Sequence, residues 1–251
     1  MIYFVGAGPG AADLITLRGM NLLKEADVIV YAGSLVNKDL LEFAKKECRI
    51  YNSASMTLKE VLDVMIQADR AGIMTVRLHT GDPSLFGAIR EQMDALADEG
   101  IPFEVVPGVS SFCGAAAALK AEYTLPGISQ TVIITRMAGR TPVPAKESIP
   151  SLAAHGSTMV IFLSAGMLDA LQANLMEGGY PPDTPAAIVY KATWPEEKVI
   201  RCSVSTLQRA AEENRITKTA LIVVGGFLGD EYDLSLLYDA AFSHGCREAR
   251  K

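Results

Sequence analysis

A glycine-rich loop follows the first predicted strand and has the residue types of a ligand-binding turn. Its residues 6–10 read GAGPG; glycines let the backbone approach a ligand closely, and exposed amides attract negatively charged groups. With Ala11 the loop matches the dinucleotide pattern G-x-G-x-x-[GA]. However, Pro9 removes an amide from the turn, and the second strand ends at Tyr31 and Ala32 without the acid that binds a ribose. The loop therefore predicts one wall of a ligand site, with dinucleotide binding or a purely structural turn as alternatives.

Two further glycine-containing loops also follow predicted strands. They are residues 80–87 (TGDPSLFG) and 106–111 (VPGVSS). Open α/β sheets bind ligands at the carboxyl ends of their strands. Asp82 could accept hydrogen bonds from a ligand or cap the next helix, and Ser110 could likewise be a helix cap. Three such loops at one edge of a sheet predict a site lined by backbone and small side chains.

Side chains suited to acid–base or metal chemistry are sparse. The histidines lack a serine, cysteine or carboxylate partner at a recognisable spacing: His79, His155 and His244. Only His79 falls in a strand-end loop, and we interpret it as structural. The cysteines are scattered without a metal-site spacing, which predicts free thiols: Cys48, Cys113, Cys202 and Cys246. We therefore assign no catalytic residue and expect no metal.

The composition of the 251-residue chain is that of a globular protein, with 49% hydrophobic and 21% charged residues. No apolar run reaches the roughly 18 residues of a membrane span, and the N-terminus lacks the features of a signal peptide. We therefore expect a cytoplasmic protein without membrane contact. The net charge of −6 argues against nucleic-acid binding, and an anionic ligand would need a local cluster of positive charge.

The apolar pattern predicts two α/β domains, residues 1–120 and 121–251. In the first, short apolar runs alternate with helical periodicity, which is typical of a mainly parallel sheet. Its strands are expected at 2–5, 27–31, 49–51, 74–78 and 103–106, and its helices at 16–25, 37–46, 57–70, 85–98 and 110–119. In the second, strands are expected at 131–135, 158–163, 186–190, 199–202 and 219–225, and helices at 167–177, 204–213 and 232–241. A hairpin near Trp194 makes the second sheet mixed, and we interpret Trp194 as the wall of a cleft rather than a core residue.

Taken together, the loops resemble those of the tetrapyrrole methylases, the S-adenosylmethionine-dependent enzymes of sirohaem and cobalamin synthesis. The matching segments, whose order and spacing cover essentially the whole chain, are residues 5–10, 13–19, 26–31, 80–87 and 106–111. Within that family, the chain most resembles the precorrin-4 C-11 methyltransferases, in residues 31–36, 51–57, 135–144 and 189–195. Ala32 stands where the sirohaem-pathway members have an aspartate, which argues against uroporphyrinogen methylation and leaves the base unidentified.

The resemblance implies a homodimer of two-domain α/β chains with S-adenosylmethionine in an interdomain cleft. The reaction would transfer the sulfonium methyl group to C-11 of precorrin-4 or of its cobalt form. Carried over position by position, the cofactor contacts would be Pro9, Thr80, Gly81, Asp82, Leu85, Ser110, Ser111, Leu163, Ala192, Thr219 and Ala220.

A carboxylate-rich tetrapyrrole needs positive charge in an acidic chain, which selects a second set of residues. The expected cationic substrate contacts are Arg136, Arg140, Lys146 and Lys191, with Arg90 in support, and Gly8 of the first glycine loop is expected to face the substrate through its backbone. Each of these cations could equally be a solvated surface charge.

Three other functions stay open at this point. They are methylation of another corrin-ring position, a nicotinamide-dependent oxidoreductase and a tetrapyrrole carrier without catalysis. The missing second-strand acid opposes the oxidoreductase, and the glycine loops oppose the carrier. The sequence leaves open the cobalt content of the substrate, the proton acceptor and the dimer interface.

Overall fold

The computed structural model describes residues 1–33 and 35–249. The chain divides into two compact units. The first comprises Met1–Ala115 and Lys191–Glu197, and the second comprises Ala116–Tyr190 and Lys198–Lys251. Nothing in the sequence pattern indicates that Lys191–Glu197 joins the first unit. Ser34, in the motif at 31–36, lies outside the described residues.

The sheet of the first unit, predicted to be mainly parallel, is parallel throughout its described strands. Its strands are β1 (Ile2–Gly6), β2 (Val28–Tyr31), β3 (Arg49–Asn52), β4 (Thr75–His79) and β5 (Phe103–Val106), in the order β3-β2-β4-β1-β5. In the register, Gly6 pairs with His79 of β4, and Val5 pairs with Val106 of β5. Since β4, β1 and β5 are neighbours, their carboxyl ends bring the three glycine loops to one edge of the sheet.

Helices cover both faces of this sheet. They are α1 (Leu17–Glu25), α2 (Leu58–Arg70) and α3 (Arg90–Asp98); a further helix, α4 (Ser111–Leu119), follows the third glycine loop, and the segment Met1–Ala115 of the first unit ends within it. Leu23 of α1 belongs to the core on one face, whereas Met65 of α2 and Leu96 of α3 belong to the core on the other. Thr57 and Glu60 form a capping box that begins α2.

Two predicted helices of the first unit are wrong in type or extent. The segment 37–46 forms a 3-10 helix, Lys38–Phe43, whose hydrogen bonds span three residues, as from the amide of Ala44 to the carbonyl of Leu41. The segment 85–98 becomes helical only at Arg90, because Phe86 and Ala88 have positive φ, a conformation that a right-handed helix excludes. Shorter 3-10 helices lie at Ala12–Leu14 and Ser53–Ser55, so no α-helix starts directly after the first glycine loop.

The second sheet is mixed, as predicted. Its strands are β6 (Val132–Arg136), β7 (Thr158–Phe162), β8 (Pro185–Tyr190), β9 (Lys198–Ser203) and β10 (Ala220–Val224), in the order β6-β7-β10-β8-β9. Strands β6 and β7 are parallel, and the remaining neighbours are antiparallel. The expected hairpin joins β8 to β9.

The helices of the second unit differ from the prediction near its C-terminus. The α-helices of this unit are α5 (Ile149–Ala153), α6 (Leu168–Glu177) and α7 (Leu207–Glu213), and α5 was not predicted. Short 3-10 helices lie at Ala145–Glu147, Val204–Thr206, Gly226–Leu228 and Leu236–Tyr238. The helix expected at 232–241 is absent from the described residues apart from that last 3-10 turn. The side chains of Ser235 and Asp239 accept from the amides of Leu237 and Ala241, and such local bonds compete with a helix.

Within the described residues, no helix is long and apolar enough to span a bilayer. The same residues contain no group of three or more histidine, cysteine or acidic side chains arranged to hold a metal ion.

Candidate functional site

The first and second glycine loops are joined backbone to backbone. The amide of Gly81 donates to the carbonyl of Gly8 at 2.9 Å, and the amide of Gly8 donates to the carbonyl of Gly81 at 3.3 Å. Both glycines have positive φ, +81° at Gly8 and +60° at Gly81, a conformation that favours glycine. The two loops therefore contain glycine at these positions because their backbones pair directly with each other.

The third loop packs just as closely, through Gly108. A Cβ at Gly108 would lie 2.2 Å from the carbonyl oxygen of Gly81 and 2.8 Å from Cα of Gly6. A Cβ at Gly6 would lie 2.6 Å from Cα of Gly108. Since real Cβ atoms do not come this near to backbone atoms, only glycine fits at either position. The three loops form one fixed surface.

Asp82 ties the second loop to the third. Its Oδ2 accepts from the amide of Gly108 at 2.9 Å, and its Oδ1 accepts from the amide and the hydroxyl of Ser84. Burial acts to raise the pKa of Asp82, but these hydrogen bonds stabilise the carboxylate and lower its pKa overall. The alternative that Asp82 caps a helix is wrong, because α3 begins eight residues later at Arg90.

A segment far along the chain completes the surface around the first loop. Trp194 donates from Nε1 to the carbonyl of Pro9 at 3.1 Å, and a Cβ on Gly10 would collide with the indole at 2.2 Å. The hydroxyl of Thr193 accepts from the amide of Ala11 at 3.0 Å. Trp194 is half-buried against the loop, and its interpretation as the wall of a cleft stays a prediction.

These contacts bear on the dinucleotide alternative. A phosphate would need free amides at the end of the loop, yet Thr193 occupies the amide of Ala11 and Pro9 has none. Thr193 has a φ of +70°, which is a genuine outlier for a β-branched residue and is held by its neighbours. The loop is therefore built to present a shaped backbone surface rather than a phosphate cradle.

The first-unit residues predicted for cofactor binding converge on this surface. A Cβ at Gly81 would lie 3.5 Å from Cα of Ser110 and 3.6 Å from the amide nitrogen of Ser111. The amide of Leu85 donates to the carbonyl of Asp82 at 3.2 Å. Thr80 directly follows β4, Pro9 lies buried in the first loop, and Ala192 is buried within Lys191–Glu197.

The second-unit residues predicted for the cofactor form their own group. Ile222 and Ile161 pair between antiparallel β10 and β7; Ala220, the first residue of β10, precedes Ile222 by two positions, and Leu163, directly after β7, follows Ile161 by two positions. Ala220 and Leu163 therefore lie at the same end of this strand pair. Leu163 is 63% exposed. Leu163 and Thr219 have φ of +54° and +57°, a strained conformation that clusters at functional sites.

The predicted basic residues divide into engaged and exposed side chains. The guanidinium of Arg136 donates to the carbonyls of Met137, Thr141 and Pro142 at 2.8–3.2 Å, so it holds the loop that follows β6. Arg140 and Lys146 on that loop are exposed. In the first unit, Lys191 contacts Glu196 at 3.1 Å and lies over the ring of Trp194. Arg90 pairs with Asp94.

His79 is structural, as interpreted from the sequence. Its ring is 4% exposed and stacks on Phe4, and Nε2 has no hydrogen-bond partner among the described residues. Burial, aided by the charge of Arg77, lowers the pKa of His79 to about 3, so the ring is neutral. Its backbone carbonyl accepts from the amide of Ala7 at 2.7 Å and thereby supports the first loop.

Several residues that build the site carry no sequence signal of their own. Asn37 donates from Nδ2 to the carbonyl of Gly10 at 3.0 Å. The hydroxyl of Thr193 accepts from the amide of Ala11, which is 182 residues earlier in the sequence. Arg77 and Gln92 are buried beneath the second loop. Only the polar side chains of Arg77 and Gln92 within apolar patterns could have drawn attention to them.

Comparisons with known proteins match this chain to one enzyme family. Residues 1–208 match the model of a family described as tetrapyrrole (corrin/porphyrin) methylases. The chain is 52% identical over 251 residues to the cobalt-precorrin-4 C(11)-methyltransferase of Methanocaldococcus jannaschii, covering all of this chain and 97% of the relative.

Two solved structures extend the comparison. A cobalamin biosynthetic enzyme, cobalt precorrin-4 methyltransferase, is 46% identical with a TM-score of 0.89, over 91% of this chain and 96% of its own. Uroporphyrin-III C-methyl transferase from Thermus thermophilus, solved with S-adenyl homocysteine, is 28% identical with a TM-score of 0.76, over 90% of this chain and 92% of its own.

Proposed function

Because the chain belongs to the tetrapyrrole (corrin/porphyrin) methylase family, we propose that it methylates C-11 of precorrin-4 or of cobalt-precorrin-4 in cobalamin biosynthesis. The methyl donor in this proposal is S-adenosylmethionine. The relative from Methanocaldococcus jannaschii is named for the cobalt-precorrin-4 reaction, and the Thermus thermophilus neighbour was solved with the demethylated form of that donor.

The observation that carries the proposal is the convergence of three glycine loops on one backbone surface. Gly8, Gly81 and Gly108 bring the loops within hydrogen-bonding or van der Waals distance. The surface consists of backbone and small side chains and therefore suits a flat, largely neutral adenosine with an amino-acid tail. The residues present fit the donor.

The chain positions the reactants and supplies little acid–base chemistry. When bound, S-adenosylmethionine supplies a methyl group on a sulfonium, which is electrophilic without an activating acid. Orientation of two bound molecules contributes up to ~7–11 kcal/mol in favourable cases. The carboxylate of Asp82 is engaged by Gly108 and Ser84, and His79 is buried and neutral. Asp82 therefore orients the loops, and neither side chain is set up as a general base.

The second unit's strand-end residues are included in the proposal as further cofactor contacts, with Leu163 exposed at the edge that it shares with Ala220. For the carboxylates of the tetrapyrrole, the exposed Arg140 and Lys146 are the strongest candidates. Arg136 contributes by shaping their loop through its three carbonyl contacts. Gly8 and Lys191 remain proposed substrate contacts of the first unit.

The nicotinamide alternative lacks both of the groups that a dinucleotide needs. Ala32 follows the second strand in place of an acid, and the amide of Ala11 is engaged by Thr193. The expected homodimer and cytoplasmic location also belong to the proposal, and light scattering and cell fractionation would test them.

The test is methyl transfer from S-[methyl-¹⁴C]adenosylmethionine to precorrin-4 and, separately, to cobalt-precorrin-4 under anaerobic conditions. We expect label in one or both products, with carbon-13 NMR placing the new methyl group at C-11. Label at another ring carbon would replace this reaction with that of another corrin methyltransferase. Tetrapyrrole binding without any methyl transfer would support the carrier alternative.

A further inference from the structure

The second glycine loop continues into a strained segment, residues 85–89, that leads to α3. Two residues with side chains adopt left-handed backbone there, Phe86 with a φ of +56° and Ala88 with a φ of +49°. Between them, Gly87 packs so closely that a Cβ would lie 2.2 Å from the carbonyl oxygen of Pro83. Such conformations persist only where surrounding contacts hold them, and they concentrate at ligand sites.

The contact that holds Ala88 comes from Gln92 on the first turn of α3. Nε2 of Gln92 donates to the carbonyl of Ala88 at 2.9 Å, and Oε1 of Gln92 accepts from Nε of Arg77 at 3.0 Å. Arg77 in turn donates from Nη1 to the carbonyl of Val30 at 3.1 Å. One chain of hydrogen bonds, buried at Arg77 and partly buried at Ala88, thus connects β2, β4 and the strained segment.

The side chain at position 92 has to donate and accept at once. Gln92 is 5% exposed and Arg77 is 6% exposed, and among the described residues no carboxylate pairs with Arg77. Burial lowers the pKa of Arg77 to about 10. A glutamate at position 92 would neutralise the buried cation but could not donate to Ala88. The side-chain amide of Gln92 therefore stabilises the loop through its bond to Ala88 and does not neutralise the charge of Arg77.

We propose that Gln92 is a positioning residue for the methyl donor, because it fixes residues 85–89 and with them the Asp82–Leu85 turn of the candidate cofactor surface. Gln92 touches neither reactant in this account and acts through the carbonyl of Ala88. The inference rests on the proposed function, since it assumes that this turn contacts S-adenosylmethionine.

The experiment compares Gln92→Glu with Gln67→Glu by calorimetric titration with S-adenosylhomocysteine. Both variants exchange an amide for a carboxylate on a helix of the same unit, but Gln67 is exposed on α2. In Gln92→Glu we expect about tenfold weaker binding, which corresponds to about 1.4 kcal/mol. We expect Gln67→Glu to bind as wild type does. Gln92→Asn, which is neutral but too short to span both partners, should reproduce the loss if the charge of Gln92→Glu prevents folding.

A split in the kinetic constants separates positioning from general stability. The KM for S-adenosylmethionine should rise about tenfold in Gln92→Glu, while the KM for the tetrapyrrole and the thermal midpoint stay near wild type. A lowered thermal midpoint with unchanged donor affinity would show a merely structural role and overturn the inference. A wild-type protein that fails to bind S-adenosylhomocysteine would overturn the proposed function and this inference together.

Discussion

The glycine loops of the first unit meet through backbone atoms, whereas the loop after β6 in the second unit is held by contacts of the Arg136 and Ser164 side chains and exposes its charges. In the first region, Gly8, Gly81 and Gly108 leave no room for a Cβ or hold a conformation that favours glycine. We call the second region, residues 136–146, the arginine loop. There the guanidinium of Arg136 donates hydrogen bonds to three backbone carbonyls, while Arg140 is exposed. The first surface is fixed by close backbone packing, and the second presents exposed positive charge; we propose that the first serves the methyl donor and the second the acidic substrate.

The largest expected effect comes from a substitution that disrupts the packed glycine loops of the first unit. Gly108→Ala would place a methyl group 2.2 Å from the carbonyl oxygen of Gly81, so backbone must move. We expect about 3 kcal/mol less stability in urea unfolding, with loss of S-adenosylhomocysteine binding. Gly139→Ala is the matched control on the arginine loop, because its Cβ would lie at an ordinary 3.5 Å from Met167. That change should cost less than about 0.5 kcal/mol. Equal effects of the two substitutions would contradict the contrast between the regions.

A second prediction uses pH to sharpen the same contrast. His79 beneath the glycine loops has a folded pKa of about 3 against 6.5 for the ordinary side chain, so between these values only the unfolded chain binds the proton. The stability of wild type should therefore fall, relative to His79→Phe, by about 1.4 kcal/mol per pH unit between pH 6 and 4. Urea unfolding at three pH values measures the slope.

His155 of the second unit is the control for that measurement. Its side chain is exposed rather than buried, so His155→Phe makes the same substitution without removing a buried imidazole. A His79→Phe protein with the same acid sensitivity as wild type would show that His79 is not held neutral in the folded state.

The smallest effect belongs to the arginine loop. Removing Arg140 and Lys146 together, as Arg140→Ala/Lys146→Ala, should raise the KM for the tetrapyrrole about fivefold and weaken its dependence on salt. Stability and the affinity for S-adenosylhomocysteine should stay unchanged, because both side chains are exposed on the second unit. Steady-state kinetics at two ionic strengths provide the measurement. An unchanged KM would mean that other cations bind the substrate carboxylates.

The parts of the fold that the sequence predicted are those with a local physical cause. Close backbone approach requires glycine, so the loops at Gly8, Gly81 and Gly108 are visible in the sequence, and apolar runs mark the strands beside them. The family resemblance added the candidate donor contacts, of which Asp82 and Ser110 lie beside these glycines.

What the sequence missed depends on distant partners or on strain. The apolar residues from Leu85 to Met93 follow a helical period, but left-handed Phe86 and Ala88 delay the helix, and neither residue type signals that conformation. The contact of Thr193 with Ala11 spans 182 positions, and no local pattern encodes it. Gln92 stands out only as a polar residue within an apolar pattern, and the sequence does not show that the fold buries it against Arg77.

The most direct test of the account is a calorimetric titration of the wild-type protein with S-adenosylhomocysteine, with NADH as the competing class of ligand. The glycine loops offer a backbone surface without free phosphate-binding amides at Pro9 and Ala11, so we predict saturable binding of S-adenosylhomocysteine and no heat of binding with NADH. Binding of NADH without binding of S-adenosylhomocysteine would contradict the account.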